Sequence, residues 1–171
     1  MRTPITADAV KALRARTGAG VMDCRRALEE AGGDLERAAA LLRERGLATA
    51  ARKAGRATTE GLVEAYIHAG GRLGALVEVD CETDFVARTE DFRRLARELA
   101  MQVAATGPLY VSREEVPEDD RSRPDLAQLV LLEQPYIRDP RRTIGELVRE
   151  TVAKVGENIQ VRRFARFRVG E

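Results

Sequence analysis

Few residues in this chain have the type and spacing to do chemistry, and most fall in one stretch, Asp80-Cys81-Glu82-Thr83-Asp84-Phe85-Val86-Ala87-Arg88. Asp80, Glu82 and Asp84 alternate like the first ligands of a calcium-binding loop. Such a loop needs Gly at its sixth position and a bidentate Glu at its twelfth. Phe85 and Asp91 stand there instead, so no metal is expected. Acids on both sides of Cys81 raise its pKa and disfavour a reactive thiolate. Two readings of the stretch remain. Acids suit the positive end of a helix dipole, so this can be an ordinary helix start with Phe85 folded inward. Alternatively it is a docking tip, with Phe85 as an aromatic anchor and Asp84 fixing its register. Spacing leaves both open.

Elsewhere the chemistry thins out. His68, the only histidine, has no acid and nucleophile arranged around it and reads as a strand-end residue. Cys24 and Cys81 lie far apart without a second thiol or His at ligand spacing, which argues against zinc or a disulfide scaffold and for a reduced cytoplasmic setting. The chain contains no Gly-rich phosphate loop, dinucleotide fingerprint or Ser-His-Asp-type grouping. No enzyme activity and no cofactor are expected. A second tip is Gly18 to Met22: either a plain interhelical turn, or a turn that presents Val21 and Met22 as an adaptable apolar contact.

The elements that must position these tips are a mixture of helices and strands. With 171 residues, 44% apolar and 33% charged, the chain has room for one ordinary domain or two small ones. A formal net charge of +1 gives no global attraction to nucleic acid or anionic membrane. The sequence Met1-Arg2-Thr3-Pro4 leads into no signal-type apolar core, and the longest run of bulky apolar residues, Leu129 to Leu132, is far too short to span a bilayer.

Residues 1–46 read as a three-helix unit. Thr6 caps the first helix with Ile5 stapled against Val10, Gly18 to Gly20 break it, Gly32-Gly33 close the second, and Asp34 caps the third. Residues 47–60 have little bulk and read as a linker with some helical tendency. Residues 61–171 read as an α+β core. A hairpin turns at Gly70-Gly71, and a helix from Thr89 to about Ala105 carries Phe92, Leu95, Leu99 and Val103 as a core stripe. Leu126 to Leu132 is either helical or extended, and Pro135 and Pro140 enforce an irregular passage around Tyr136 and Ile137. Thr143-Ile144-Gly145-Glu146 is a capping box opening another helix. A third strand closes the chain, with Ile159, Val161, Ala165, Phe167 and Val169 expected on one face. One face of so narrow a sheet needs covering, and a second copy of the chain would cover it. The arginines of the closing strand, with Phe164 and Phe167 beside them, leave RNA binding as an alternative.

Three segments carry a family resemblance. Residues 81–87 are similar to the Cys-x-Thr-Asp-Phe-Val-Ala signature of elongation factor Ts. Thr17-Gly18-Ala19-Gly20-Val21-Met22-Asp23-Cys24-Arg25-Arg26-Ala27-Leu28 resembles the family's N-terminal signature, and Gly156-Glu157-Asn158-Ile159-Gln160-Val161-Arg162-Arg163 its C-terminal segment. The resemblance implies that the helical unit is a ubiquitin-associated-like module that docks on the nucleotide-binding domain of elongation factor Tu, with Gly18, Val21 and Met22 at the contact. It implies a small three-stranded antiparallel sheet packed with helices in the core. It implies that Asp84 and Phe85 press against the GTPase near its magnesium and phosphate site, and that Thr83 and Val86 complete the segment that dislodges the ion. The activity implied is guanine nucleotide exchange in translation: binding Tu–GDP and promoting GDP release so that GTP can enter. Asp80 stands where the family usually has Asn. The single hairpin and closing strand resemble the short form of the family, which implies a homodimer. A ribosome- or RNA-associated protein using the arginine-bearing strand is the alternative, although no direct nucleic-acid contact is expected from the resemblance.

Overall fold

The computed structural model describes residues 5–171, so the leading segment of residues 1–4, with its expectation of no signal sequence, lies outside the described residues. Helices α1 (Ala7–Thr17), α2 (Val21–Glu30) and α3 (Leu35–Lys53) form the N-terminal unit around Leu13, Cys24, Ala27, Leu28 and Ala38. The Thr6 hydroxyl accepts a hydrogen bond from the Ala9 amide and the Asp34 carboxylate one from the Arg37 amide. Gly18 ends α1 in the left-handed conformation, at φ 69°, which costs a residue without a Cβ nothing.

The third helix continues to Lys53, well into the segment expected to be a linker. Gly46 does not end it. A Cβ at Gly46 would lie 3.3 Å from the Ala153 methyl, so this glycine lets α3 approach a helix of the core closely. The Ala, Leu and Arg residues that follow are strong helix formers. Ala50 is then buried in the larger core, while Leu41 and Leu42 pack on the smaller one. One helix therefore serves both cores, and the irregular connection shrinks to residues 54–59.

The larger core is a layer of helices on one antiparallel sheet whose strands lie in the order Glu60–Ile67, Leu73–Cys81, Ile159–Arg168. Strands β1 (Glu60–Ile67) and β2 (Leu73–Cys81) are the expected hairpin, with Ile67 opposite Gly74 and positive φ at both Gly70 and Gly71. Val77 and Val79 of β2 pack beneath α5 (Glu90–Thr106), whose buried stripe includes Phe92, Leu95, Leu99 and Val103. The expected capping box is present at Thr143, where the hydroxyl accepts from the Glu146 amide and the Glu146 carboxylate accepts from the Thr143 amide; it opens α7 (Ile144–Val155).

The passage between α5 and α7 is more ordered than its prolines suggest. Leu126–Leu129 forms a single helical turn, α6, and β3 (Pro135–Tyr136) pairs with β4 (Asp139–Thr143) in a small ribbon. Pro135 stands at a strand's first residue and Pro140 on a two-stranded ribbon, the places where a missing amide does least harm. Fully buried Gln102 of α5 anchors the ribbon, donating to Gln134 and to the Pro135 carbonyl and accepting from the Ile137 amide, each at 3.0 to 3.1 Å.

Strand β5 (Ile159–Arg168) departs from strict alternation. Val79 pairs with Val161 and Glu78 with Arg163, so Arg162 is an extra residue, a β-bulge. Ile159 and Val161 face the core, but beyond the bulge the faces exchange. Phe164 packs on the core, whereas Ala165, Phe167 and Val169 are exposed. The single face expected for Ile159, Val161, Ala165, Phe167 and Val169 is thus corrected, because one inserted residue inverts every side chain after it.

Candidate partner-binding site

The central stretch folds into the single helical turn α4 (Asp84–Ala87), held between the end of β2 and the start of α5. A turn this short has no stability of its own. Its anchors are Val86 and Ala87, both buried in the larger core, and Thr83. The Thr83 hydroxyl accepts from the Val86 amide at 3.4 Å, and the Thr83 carbonyl accepts from the Ala87 amide and the Cys81 thiol at 3.3 and 3.1 Å. From outside, the Glu157 carboxylate accepts from both the Thr83 amide, at 3.0 Å, and the Thr83 hydroxyl, at 2.6 Å. Neighbouring residues exchange a reciprocal bond: the Asn158 amide donates to Glu82 at 2.6 Å. The Asn158 side chain in turn donates to the Ala54 and Arg56 carbonyls, tying in the connection that precedes β1.

Phe85 does not fold inward. It is 76% exposed, the largest fraction among the exposed large apolar residues described, while its neighbour Val86 is 4% exposed. Beside it, the Asp84 carboxylate is exposed and paired with Arg88 at 2.7 Å. Such a surface pair contributes little to stability and is readily exchanged for another partner. The four residues expected at the tip therefore divide. Asp84 and Phe85 are free to touch another molecule; Thr83 has its amide, hydroxyl and carbonyl engaged within the chain, and Val86 is core.

The three acids that alternate along the stretch diverge. Asp80 is buried and accepts from the Arg162 guanidinium at 3.0 Å, Glu82 serves Asn158 with Arg56 nearby, and Asp84 serves Arg88. No group of three or more His, Cys, Asp or Glu side chains with metal-holding geometry occurs among the described residues. The acid at position 80 is thus not an added charge on the tip: the bulge residue Arg162 offsets it.

Cys81 is fully buried, and that burial, more than the Glu157 and Asp80 carboxylates, pushes its thiol up to about 11. Burial and the hydrogen bond to Glu98 push the Tyr136 phenol up to about 12. Both groups hold their protons longer in the folded chain than in the unfolded one. Their contribution to stability is complete below the ordinary thiol pKa, near 9, and is lost as pH rises toward 12. Melting temperature is therefore expected to fall between pH 8 and pH 10.5, and to fall less in Cys81→Ala. An equal fall in both proteins would rule out the Cys81 share.

The other tip is also outward. Val21 and Met22 are 51% and 63% exposed in the first turn of α2, while Cys24 beneath them is fully buried. Gly18 is exposed but faces the core's last helix: a Cβ there would be 3.3 Å from the end of the Lys154 side chain of α7. The Lys154 ammonium also pairs with Asp91, at 2.7 Å, in the first turn of α5. One side chain thus bridges the turn beside Met22 and the helix that follows Phe85.

The arginines of β5 are not a free cationic row. Arg162 pairs with Asp80, Arg163 with Glu78, and Arg166 and Arg168 with Glu171. His68 contacts the Tyr66 hydroxyl through Nδ1 at 3.0 Å, a local strand-end bond.

Sequence reasoning missed Glu157 and Asn158 as supports of the tip. They are 74 and 76 residues from their partners Thr83 and Glu82. The only signal was that all four fall inside quoted signature segments.

Comparison with known proteins supplies what this geometry lacks. A family model described as elongation factor Ts matches residues 35–125, which include the whole Asp80–Arg88 stretch. The elongation factor Ts of Caldanaerobacter subterraneus is 52% identical over an alignment 195 positions long, covering 98% of this chain and 98% of that protein. That of Moorella thermoacetica is 52% identical with 98% and 96% covered, and that of Carboxydothermus hydrogenoformans 51% identical with 98% and 90% covered. These alignments extend over both tips.

Proposed function

Because the chain belongs to the elongation factor Ts family, we propose that Phe85 and Asp84 form the tip with which it acts on elongation factor Tu. It is a nucleotide exchange factor of translation elongation, and that role makes and breaks no bond. No helix among the described residues is long and apolar enough to cross a membrane, and the place of action we propose is the cytoplasm. The observation that carries the reading is Phe85 itself: a large aromatic ring, 76% exposed, on a turn anchored on either side of it by Thr83, Val86 and Ala87. A rigid, exposed aromatic is the usual form of an interface anchor.

In this reading the tip presses near the magnesium and phosphate site of Tu–GDP and displaces the ion. Thr83 and Val86 act from within the chain, as cap and core anchor. Val21 and Met22, with the Gly18 turn behind them, make a second contact on the nucleotide-binding domain. Exchange then follows from differential binding: a factor that prefers the ion-free, nucleotide-free partner lowers its affinity for GDP.

The active form is proposed to be a homodimer. The outer face of the sheet exposes Val63, Ile67, Leu76, Phe167 and Val169, from all three strands and the residue just after β5. Contiguous apolar surfaces of this kind are uncommon on monomers. Two copies related by a two-fold axis would cover each other's patch with the same residues. RNA binding is disfavoured, since each β5 arginine already has an acid beside it.

Ion displacement has a thermodynamic signature. If factor and magnesium exclude each other, each must weaken the other's binding by the same factor. The affinity of this chain for Tu–GDP is expected to fall as magnesium is raised from micromolar to millimolar. Affinity independent of magnesium would mean that the tip acts elsewhere.

A further inference from the structure

Glu157 sits on the connection between α7 and β5, touches neither Phe85 nor any apolar core residue by hydrogen bond, and yet holds Thr83 at two points. We infer that Glu157 is the positioning residue that aims Phe85, an inference that rests on the proposed role of Phe85 in exchange.

The hydroxyl of Thr83 has one proton to give. Donating it to Glu157 at 2.6 Å turns the oxygen lone pairs toward the Val86 amide, 3.4 Å away. Without Glu157 the hydroxyl can rotate, and the cap of α4 becomes one weak, unaligned bond. The second oxygen of Glu157 takes the Thr83 amide, 3.0 Å away, which fixes the chain entering the turn. Both bonds go to an ionised acceptor, the stronger class.

The far end of the turn is held by its own bonds, the Arg88 amide donating to the Phe85 carbonyl at 3.3 Å and the Thr89 hydroxyl and amide donating to the Val86 carbonyl at 2.7 and 3.0 Å. Glu157 instead holds the end at which the chain enters, Thr83. Val86 and Ala87 set the depth of the turn by their burial, but apolar contact is not directional, whereas a two-point hydrogen bond is. Phe85 precedes Val86 by one residue, so a small rotation of the turn about its buried side would swing the exposed ring through a large arc. The reciprocal bond from Asn158 to Glu82, 2.6 Å, keeps the two connections in register so that Glu157 meets Thr83. The clamp therefore lowers the ordering cost of presenting Phe85 to the partner.

Epistasis with Phe85 separates positioning from plain stabilisation. GDP release from elongation factor Tu is compared for the intact chain, Phe85→Ala, Glu157→Gln and the double variant, each with its melting temperature. Glu157→Gln keeps the shape but removes one acceptor and the charge. It is expected to lower exchange efficiency about tenfold, the scale of one hydrogen bond to a charged group. In the Phe85→Ala background it is expected to change exchange no further, while its effect on melting temperature persists. Thr83→Val, which removes only the hydroxyl arm, is expected to lie between the intact chain and Glu157→Gln. If Phe85→Ala impairs exchange but Glu157→Gln does not, or if their effects multiply, the clamp is structural only and the inference fails. Should Phe85→Ala itself leave exchange unchanged, the reading of the tip fails and the clamp's role falls with it.

Discussion

Replacing Phe85 by Ala is expected to remove most of the exchange activity and almost none of the stability. The ring is 76% exposed, so truncating it takes little apolar surface out of a folded interior. An anchor residue at an interface centre commonly costs 2 kcal/mol or more when truncated, about thirtyfold or more in affinity or rate efficiency. The backbone of α4 should survive, because its bonds run through Thr83, Val86 and Ala87. Val86→Ala makes the opposite pattern: it opens a small cavity in the larger core and should lower the melting temperature first. A Phe85→Ala protein that melts as before but exchanges GDP poorly would separate the tip's function from its fold. A protein that exchanges normally would move the action to Val21 and Met22.

The second large effect is expected at the outer face of the sheet. Leu76 is 46% exposed at the middle of β2, between Ala65 of β1 and Ala165 of β5. Leu76→Glu costs the single chain little, since the position already faces solvent. In a two-fold pair it would bury two carboxylates in a patch otherwise built from Val63, Ile67, Phe167 and Val169. An unpaired charge buried at an interface costs several kcal/mol, enough to weaken self-association more than a hundredfold. The intact chain is expected to scatter light as twice 18.9 kDa at micromolar concentration, and the variant as a single copy. A single-copy mass for the intact chain would end the dimer proposal. Exchange measured on a monomeric Leu76→Glu protein would further show whether each copy's tips act alone.

Much of the fold was legible because it follows local rules. The Thr6 and Asp34 caps, the Gly70-Gly71 hairpin, the α5 stripe and the Thr143 capping box are all readable from a few neighbouring residues. What escaped depended on contacts distant in sequence. Gly46 looked like a helix end because its close approach to Ala153 was invisible. The face of Phe167 was inverted because period-two reasoning cannot see the bulge at Arg162, which shares its ion pair with Asp80 on another strand. The β3–β4 ribbon was hidden by its prolines and by Gln102, a polar residue inside an apolar stripe that looks incidental until its three partners are in place.

The candidate site divided along the same line. The spacing of residues 80–88 located the stretch but left open whether Phe85 pointed in or out, since exposure is set by what packs against a turn. Asp84 and Phe85 emerge as surface residues, while Thr83 and Val86, grouped with them by motif, face the chain's own interior. A motif preserves supports and contacts alike, and only the geometry tells one from the other.

The most direct measurement is the rate at which a fluorescent GDP analogue leaves purified elongation factor Tu when excess unlabelled nucleotide is added, with and without the intact chain. The expected result is release that accelerates with the concentration of this protein and saturates as the complex fills. Release at the same rate with and without the protein, at concentrations where the two demonstrably bind, would contradict an exchange role for this chain.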